Sequence, residues 1–302
     1  MAAKRTYLEL INKVLKRISQ SVVTEIPTIG HASIVAELIN EGQNYLYTES
    51  GWHSLYTTRM WKTYQYTAST VSFDSGGTIN DSADGLGTFT PGCMVHVTGS
   101  DGNSRVFQVD TVAVGTLTLT SDEVVTTEAA GSAITITQVT YATATDLGRC
   151  LSLQDETNNT FLGEDVIREF DMASPQQNTT GSPIAFAIDG DFYRLYPVPG
   201  GVYTLREHYI KTPTALSATT DTSELPIECE NVLIHYAYYQ MLEYLQRYDA
   251  ADRERMEYAR QLGRAKASND KIIRYQHRFS AVKTNASGIA APRFPSSYGV
   301  QR

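Results

Sequence analysis

The sequence predicts an α+β protein: a helical bundle built from the N- and C-terminal helices, a central antiparallel β domain, an inserted small β-barrel or sandwich, and an extended C-terminal arm. Three observations lead there. Apolar residues recur with helical period near both ends of the chain, the recurrence switches to strand-like alternation between them, and residues 69–140 are rich in Gly and Thr with turn residues at short intervals.

At the N-terminus, Thr6 followed by Glu9 reads as a capping box, and Tyr7, Leu8, Leu10, Ile11, Val14, Leu15 and Ile18 then form an apolar stripe. Lys13, Lys16 and Arg17 fall in the later half of this helix, where cations suit its dipole. A loop with Pro27 and Gly30 leads to a second helix over about 31–50, whose Ile34, Val35, Leu38, Ile39, Tyr45 and Leu46 are expected to pack on the first, with Gly51 as its stop. Segment 1–52 is thus the first part of the bundle.

Residues 53–68 and 141–224 are assigned to the central β domain. "RCLSLQ" at 149, "EDVIREFD" at 164 and "PIAFAID" at 183 read as its strands. In "FYRLYPVPGGVYTLREHYI" the run Tyr196, Pro197, Pro199 and Gly200 reads as a stiff turn between two strands of a hairpin, because each proline fixes φ and removes a donor. The insert, 69–140, holds the strand-length runs "CMVHV", "RVFQV", "TLTLT" and "AITIT", joined by turns such as "DGLG" and "GSDGN" in which Gly and Asn adopt positive φ at little cost.

From Leu225 the helical period returns through Leu233, Ala237, Met241, Tyr244, Leu245 and Tyr248, and resumes at Met256, Tyr258, Ala259 and Leu262, with Asp249 to Asp252 as the expected interruption. Segment 225–270 completes the bundle. Residues 271–302 include Pro292 and Pro295 and end without apolar period, which predicts an extended arm that orders on a partner.

Charge divides the chain the same way. Residues 69–230 hold six Lys or Arg against 22 Asp or Glu, a net of −16, whereas 264–302 hold eight basic residues against one acid, a net of +7. A basic arm on an acidic body can reach an acidic protein face or a phosphate backbone. No signal peptide and no run approaching 18 uninterrupted apolar residues is visible, so synthesis in a host cytoplasm and no membrane span are expected. Cys93, Cys150 and Cys229 are too few and too scattered for a disulfide framework and read as free buried thiols.

Groupings that would support chemistry are weak. No Gly-x-Ser-x-Gly elbow and no Gly-rich phosphate cradle before a lysine occurs. Cys93 and His96 have half of a zinc-ligand spacing without a second pair, and buried strand positions explain both. "NDSADGLG" at 80–87 is acidic but lacks the alternating ligands and terminal Glu of a calcium loop. His53 near Glu49 is an acid/base pair on paper, and the polar end of a helix explains it more simply. No catalytic residue, metal or cofactor is expected. Tyr236, Tyr239 and Tyr244 fall on more than one face of their helix, which suits packing between helices or a subunit interface; stacking on nucleic acid sits poorly with the acidic body.

The order of these elements resembles a known family. "YLELINKVLKRI", "ASIVAELINEGQNYLYTESGW", the middle "FYRLYPVPGGVYTLREHYI" and "ELPIECENVLIHYAYYQMLEYL" are similar to the tail tubular protein A family, the head-to-tail adaptors of T7-like short-tailed phages, over about 1–68 and 145–270. The resemblance implies a virion protein at the head–tail junction, a ring of twelve copies that joins the portal protein to the tail nozzle protein and leaves a channel through which DNA passes without specific binding. It also implies that residues 6–50, 225–270 and the arm 271–302 grip the portal; independently of the resemblance, the basic arm suits an acidic portal surface, with Phe279, Phe294 and Tyr298 as anchors and Arg274, Arg278 and Arg293 as polar contacts. Residues 69–140 depart from the shortest members and suggest an outward module that meets neighbouring adaptors, the capsid vertex or tail fibres, or else is a decoration without a partner. Two rival functions stay open: a tail-associated enzyme that degrades cell wall, and a fibre-docking or carbohydrate-binding protein that uses the insert. Neither explains the terminal helices and the basic arm together.

Overall fold

The computed structural model describes residues 3–173 and 179–284. These hold five α-helices: α1 (Tyr7–Arg17), α2 (His31–Glu49), α3 (Ile167–Ala173), α4 (Cys229–Tyr244) and α5 (Tyr248–Thr284). The chain divides into two units, Met1–Leu55 with Thr212–Arg302, and Tyr56–Lys211.

In the helical unit the capping box at α1 is complete. Thr6 Oγ accepts from Glu9 N at 3.3 Å and Glu9 Oε2 accepts from Thr6 N at 2.8 Å, so two otherwise orphaned donors are satisfied. The stripe Tyr7, Leu10, Ile11, Val14 and Leu15 is buried, as the helical period requires. α4 is the central helix: residues on all its faces are buried, from Val232 and Leu233 to Tyr236, Tyr239 and Met241, and it packs against α1, α2 and α5. α2 approaches it closely at Gly42, where a Cβ would stand 2.7 Å from Tyr236 Cδ1, so only glycine permits this spacing. The two ends of the chain are tied by Lys4, whose ammonium donates to Ser223 O and Leu225 O at 2.7 Å each, and by the Arg5–Glu230 ion pair at 3.3 Å.

The β unit contains two seven-stranded sheets. One runs in the order Gln65–Ala68, Ile134–Gln138, Met94–Thr98, Val106–Ala113, Thr116–Leu119, Thr78–Asp81, Val71–Asp74, with every neighbour antiparallel. Phe73, Ile79, Val95, Phe107, Leu117 and Ile136 from its strands meet in one core, so this single sheet is rolled around its own apolar face as a small open barrel whose end strands do not pair. The other runs Tyr56–Lys62, Thr204–Lys211, Leu147–Asp155, Thr160–Glu164, Ala185–Asp189, Phe192–Tyr196, Thr140–Ala142. It is antiparallel except that Thr160–Glu164 and Ala185–Asp189 run parallel. It curls until its two end strands meet: Arg59 Nη2 donates to Ala142 O at 3.0 Å and the Trp61 ring lies 5.0 Å from that of Tyr141.

Four sequence expectations are corrected. The stretch 191–209 is not a hairpin. Phe192–Tyr196 pairs with Ala185–Asp189 and Thr140–Ala142, while Thr204–Lys211 pairs with Tyr56–Lys62 and Leu147–Asp155. Pro197 and Pro199 withhold the N–H groups a hairpin ladder needs, the Tyr196–Pro197 peptide is cis, and Val198–Pro199 instead pairs in parallel with Thr180–Gly181. "EDVIREFD" is a strand end followed by α3, not a strand, since Asp165 accepts from Val166 N at 2.8 Å just before the helix and so stops the ladder. The helix interruption falls at Leu245–Arg247, where Gln246 has φ 56°, and Asp249 lies in the first turn of α5, where an acid is favoured. Finally, residues 271–284 are helical rather than extended: no Gly or Pro occurs between Lys271 and Thr284, and Ala, Lys, Arg, Gln and Ile sustain the helix.

Candidate functional site

The residues singled out on α4 have different surroundings. Tyr236 and Tyr239 are buried, while Tyr244 is 60% exposed and its ring is set edge-to-face with that of His31, 6.5 Å away between ring centroids. Tyr236 stacks on Tyr45 of α2 at 5.9 Å and stands edge-on to Tyr239 at 5.4 Å and to Tyr258 of α5 at 5.8 Å; Tyr239 and Tyr258 are 5.6 Å apart. Four rings thus join α2, α4 and α5, with Arg255 over the Tyr239 ring at 5.5 Å. Burial pushes the Tyr239 phenol up to about 12 and raises that of Tyr236 as well, so both phenols are held in the neutral form. Helix packing therefore uses Tyr236 and Tyr239, and Tyr244 is left facing solvent.

A polar set holds α5 against the same core. Lys266 Nζ donates to Glu49 Oε2 at 2.5 Å and holds that carboxyl below its ordinary value, despite partial burial; Glu49 in turn raises Tyr45 through a hydrogen bond. Asn269, 2% exposed, accepts from His53 N at 2.9 Å and donates to Gly51 O at 2.9 Å, so α5 clasps the turn that follows α2. Glu254 bonds His235 at 2.9 Å and Arg17 at 3.3 Å and so joins α1, α4 and α5. His53 and Glu49 therefore have separate partners, Asn269 and Lys266, and serve as anchors rather than as an acid/base pair. Nothing in the sequence period marks Asn269 or Glu254. Their signal is a polar residue on the apolar stripe of a helix.

Of the remaining candidates, Asp81 in "NDSADGLG" is buried and saturated by its own turn. Its carboxylate accepts from Tyr66 Oη at 2.7 Å, Thr70 Oγ1 at 2.5 Å, Gly85 N at 2.8 Å and Ala83 N at 3.2 Å. Burial raises its pKa, but the donors, led by Thr70, outweigh that and leave the group below its ordinary value. Cys93 and His96 are buried in the barrel; burial pushes the Cys93 thiol up to about 12 and lowers His96, so both are held neutral. Cys150 and Cys229 are also free buried thiols, raised by burial to about 11 and about 12. Among the described residues, no group of three or more His, Cys, Asp or Glu is placed to hold a metal ion, and no helix is long and apolar enough to cross a membrane.

The proposed arm residues divide. Arg274, Arg278 and Phe279 belong to α5, and Arg293, Phe294 and Tyr298 lie outside the described residues. Tyr196, Pro197, Pro199 and Gly200 connect two separate strands of the curled sheet.

No curated protein matches the chain. A family model described as SU10 adaptor protein matches residues 104–283, which include every strand of the curled sheet except Tyr56–Lys62, all of α4 and nearly all of α5. That match spans more than half of the chain and agrees with the head-to-tail adaptor or connector identity that the resemblance implied, an identity that is structural and not catalytic. The chain belongs to the SU10 adaptor protein family.

Proposed function

We propose that the chain joins a portal protein to a tail nozzle protein at the head–tail junction of a virion, as a closed ring of twelve copies around an axial DNA channel. The observation that carries this reading is the adaptor-family match, which runs through the curled sheet into α5. The helical unit, with residues 6–50, 225–270 and the basic segment 271–302, is the portal-facing part. The helical extension of 271–284 supports that role, because a preformed helix reduces the ordering cost on docking. The barrel built from residues 65–138 faces neighbouring adaptors, the capsid vertex or tail fibres.

Ring closure repeats one heterologous contact around the axis. Passing DNA meets an acidic body, net −16 over 69–230, which offers no cation track for phosphates to grip. Co-sedimentation of the purified chain with the portal ring from the same genome tests the proposal. The full-length chain forms a stoichiometric complex that weakens on truncation after Asp270; an intact portal that leaves the chain in the supernatant at low salt refutes it.

A further inference from the structure

α1 lines an open groove of about 360 Å³ with Arg5, Glu9, Asn12, Lys13 and Lys16 on one side and Val22 on the other. The groove is built rather than incidental: Asn12 exchanges two hydrogen bonds with the backbone of Val23, both 2.9 Å, and so fastens the loop that follows α1 as its far wall. Arg5 is spent on Glu230 and Asn231, and Glu9 on its capping box. Lys13 and Lys16 are exposed and make no ion pair among the described residues, and Val22 is 52% exposed beside them. Two free cations and an exposed valine form a small mixed surface.

A surface of opposite charge stands in the β unit, where the strand Thr160–Glu164 runs into α3. Glu164, Asp165 and Val166 are exposed in succession, Val166 at 61%. The backbone there is fixed, since Gly163 N donates to Ile184 O and Asp165 N to Phe186 O at 2.9 Å each. The neighbouring cation, Arg168, makes no ion pair with these acids. The result is a fixed turn with two carboxylates that make no ion pair among the described residues, Asp165 accepting only from Val166 N at 2.8 Å, and one exposed apolar side chain.

We infer that the groove on α1 of one copy receives the Glu164–Val166 projection of the next copy, Lys13 and Lys16 against Glu164 and Asp165, and Val22 against Val166. The inference rests on the ring reading above and names one contact within it. Each surface carries two charges with no opposite charge paired to them among the described residues and one exposed apolar side chain, and complementary charge sets both register and encounter rate. The two surfaces differ, so the contact is heterologous and repeats from copy to copy, as a ring requires. Phosphate is a poorer occupant. Glu9 in the groove repels it, Val22 offers it nothing, and two free cations are too few for a backbone track.

Sedimentation velocity of the full-length chain tests this with two charge-reversed variants, Lys13→Glu/Lys16→Glu and Glu164→Lys/Asp165→Lys. Each alone should weaken self-association about tenfold or more. An equal mixture of the two should restore it, since each reversed surface then meets its complement, and so should the fourfold variant. Circular dichroism checks that all variants fold. Folded variants that associate like the wild type overturn the inference, as does failure of both the mixture and the fourfold variant to recover. Salt-steep binding of a duplex oligonucleotide that vanishes in Lys13→Glu/Lys16→Glu, with self-association intact, overturns it in favour of nucleic acid. Portal binding by wild-type chain is measured separately: its loss refutes the ring reading itself, whereas portal binding by copies that do not associate refutes only this contact.

Discussion

Tyr193 donates its phenolic hydrogen to Glu207 Oε1 at 2.6 Å, although three strands separate their own strands in the sheet. The bond crosses the hollow of the curled sheet. Glu207 is fully buried, and its other oxygen accepts from Arg59 Nε at 2.9 Å, so one carboxylate links the first, second and sixth strands of the order. Burial, with the hydrogen bond to Glu207 next, raises the Tyr193 phenol far above its ordinary value, so Tyr193 stays a donor. Glu207→Ala should destabilise the β unit by about 3 kcal/mol, because it strands both Arg59 and Tyr193, whereas Tyr193→Phe should cost about 1–2 kcal/mol. Urea melts of each variant measure the difference, and equal costs would remove Arg59 from this explanation.

Gly42 gives a prediction whose sign is informative. In an ordinary helix interior Gly→Ala stabilises by up to about 1 kcal/mol. Here the new methyl meets the Tyr236 ring at 2.7 Å, and Gly42→Ala should instead destabilise by about 1–3 kcal/mol. The pair Gly42→Ala/Tyr236→Leu should recover part of the loss, read as a shift in melting temperature.

Asn269 holds α5 to the turn after α2 through three hydrogen bonds to Gly51 and His53. Asn269→Leu should leave the backbone groups of that turn without these partners and raise amide exchange at His53, at a cost of about 1–3 kcal/mol. Unchanged exchange there would mean that helix packing alone positions α5.

His96 supplies a pH dependence. Burial lowers its pKa below the ordinary 6.5, so the unfolded chain takes up a proton that the folded barrel refuses. The sign follows: its contribution is complete above pH about 6.5 and is lost as pH falls through that value towards the lower folded pKa. Thermal melting at pH 7.5 and 5.5 should fall more in the wild type than in His96→Phe. Equal falls would assign the dependence elsewhere, His208 being another histidine lowered by burial.

The parts of the fold legible in the sequence are those set by neighbours along the chain. Thr6 and Glu9 are three residues apart and close the cap at α1 as their spacing implies, and the buried stripe of α1 follows its period. Choices made across the chain are not local. The strands on either side of Pro197 and Pro199 look like a hairpin, yet their partners lie as far away as Tyr56 and Thr140. Gln246 adopts a positive φ that glycine or asparagine would have announced, so the end of α4 is placed too late from sequence. The aromatic cluster is half visible: Tyr236 and Tyr239 stand out, but their partners Tyr45 and Tyr258 come from two other helices. Glu207 and Asn269, polar residues at buried positions, are distinguishable from surface residues only once their strands and helices are placed.

The most direct test of the adaptor reading is the mass of the complex that the full-length chain forms with its portal ring, by native mass spectrometry. A single species with twelve adaptor copies per portal ring is the predicted result. A ladder of partial occupancies at saturating adaptor, or no bound copies, would contradict the closed ring on which the proposed function stands.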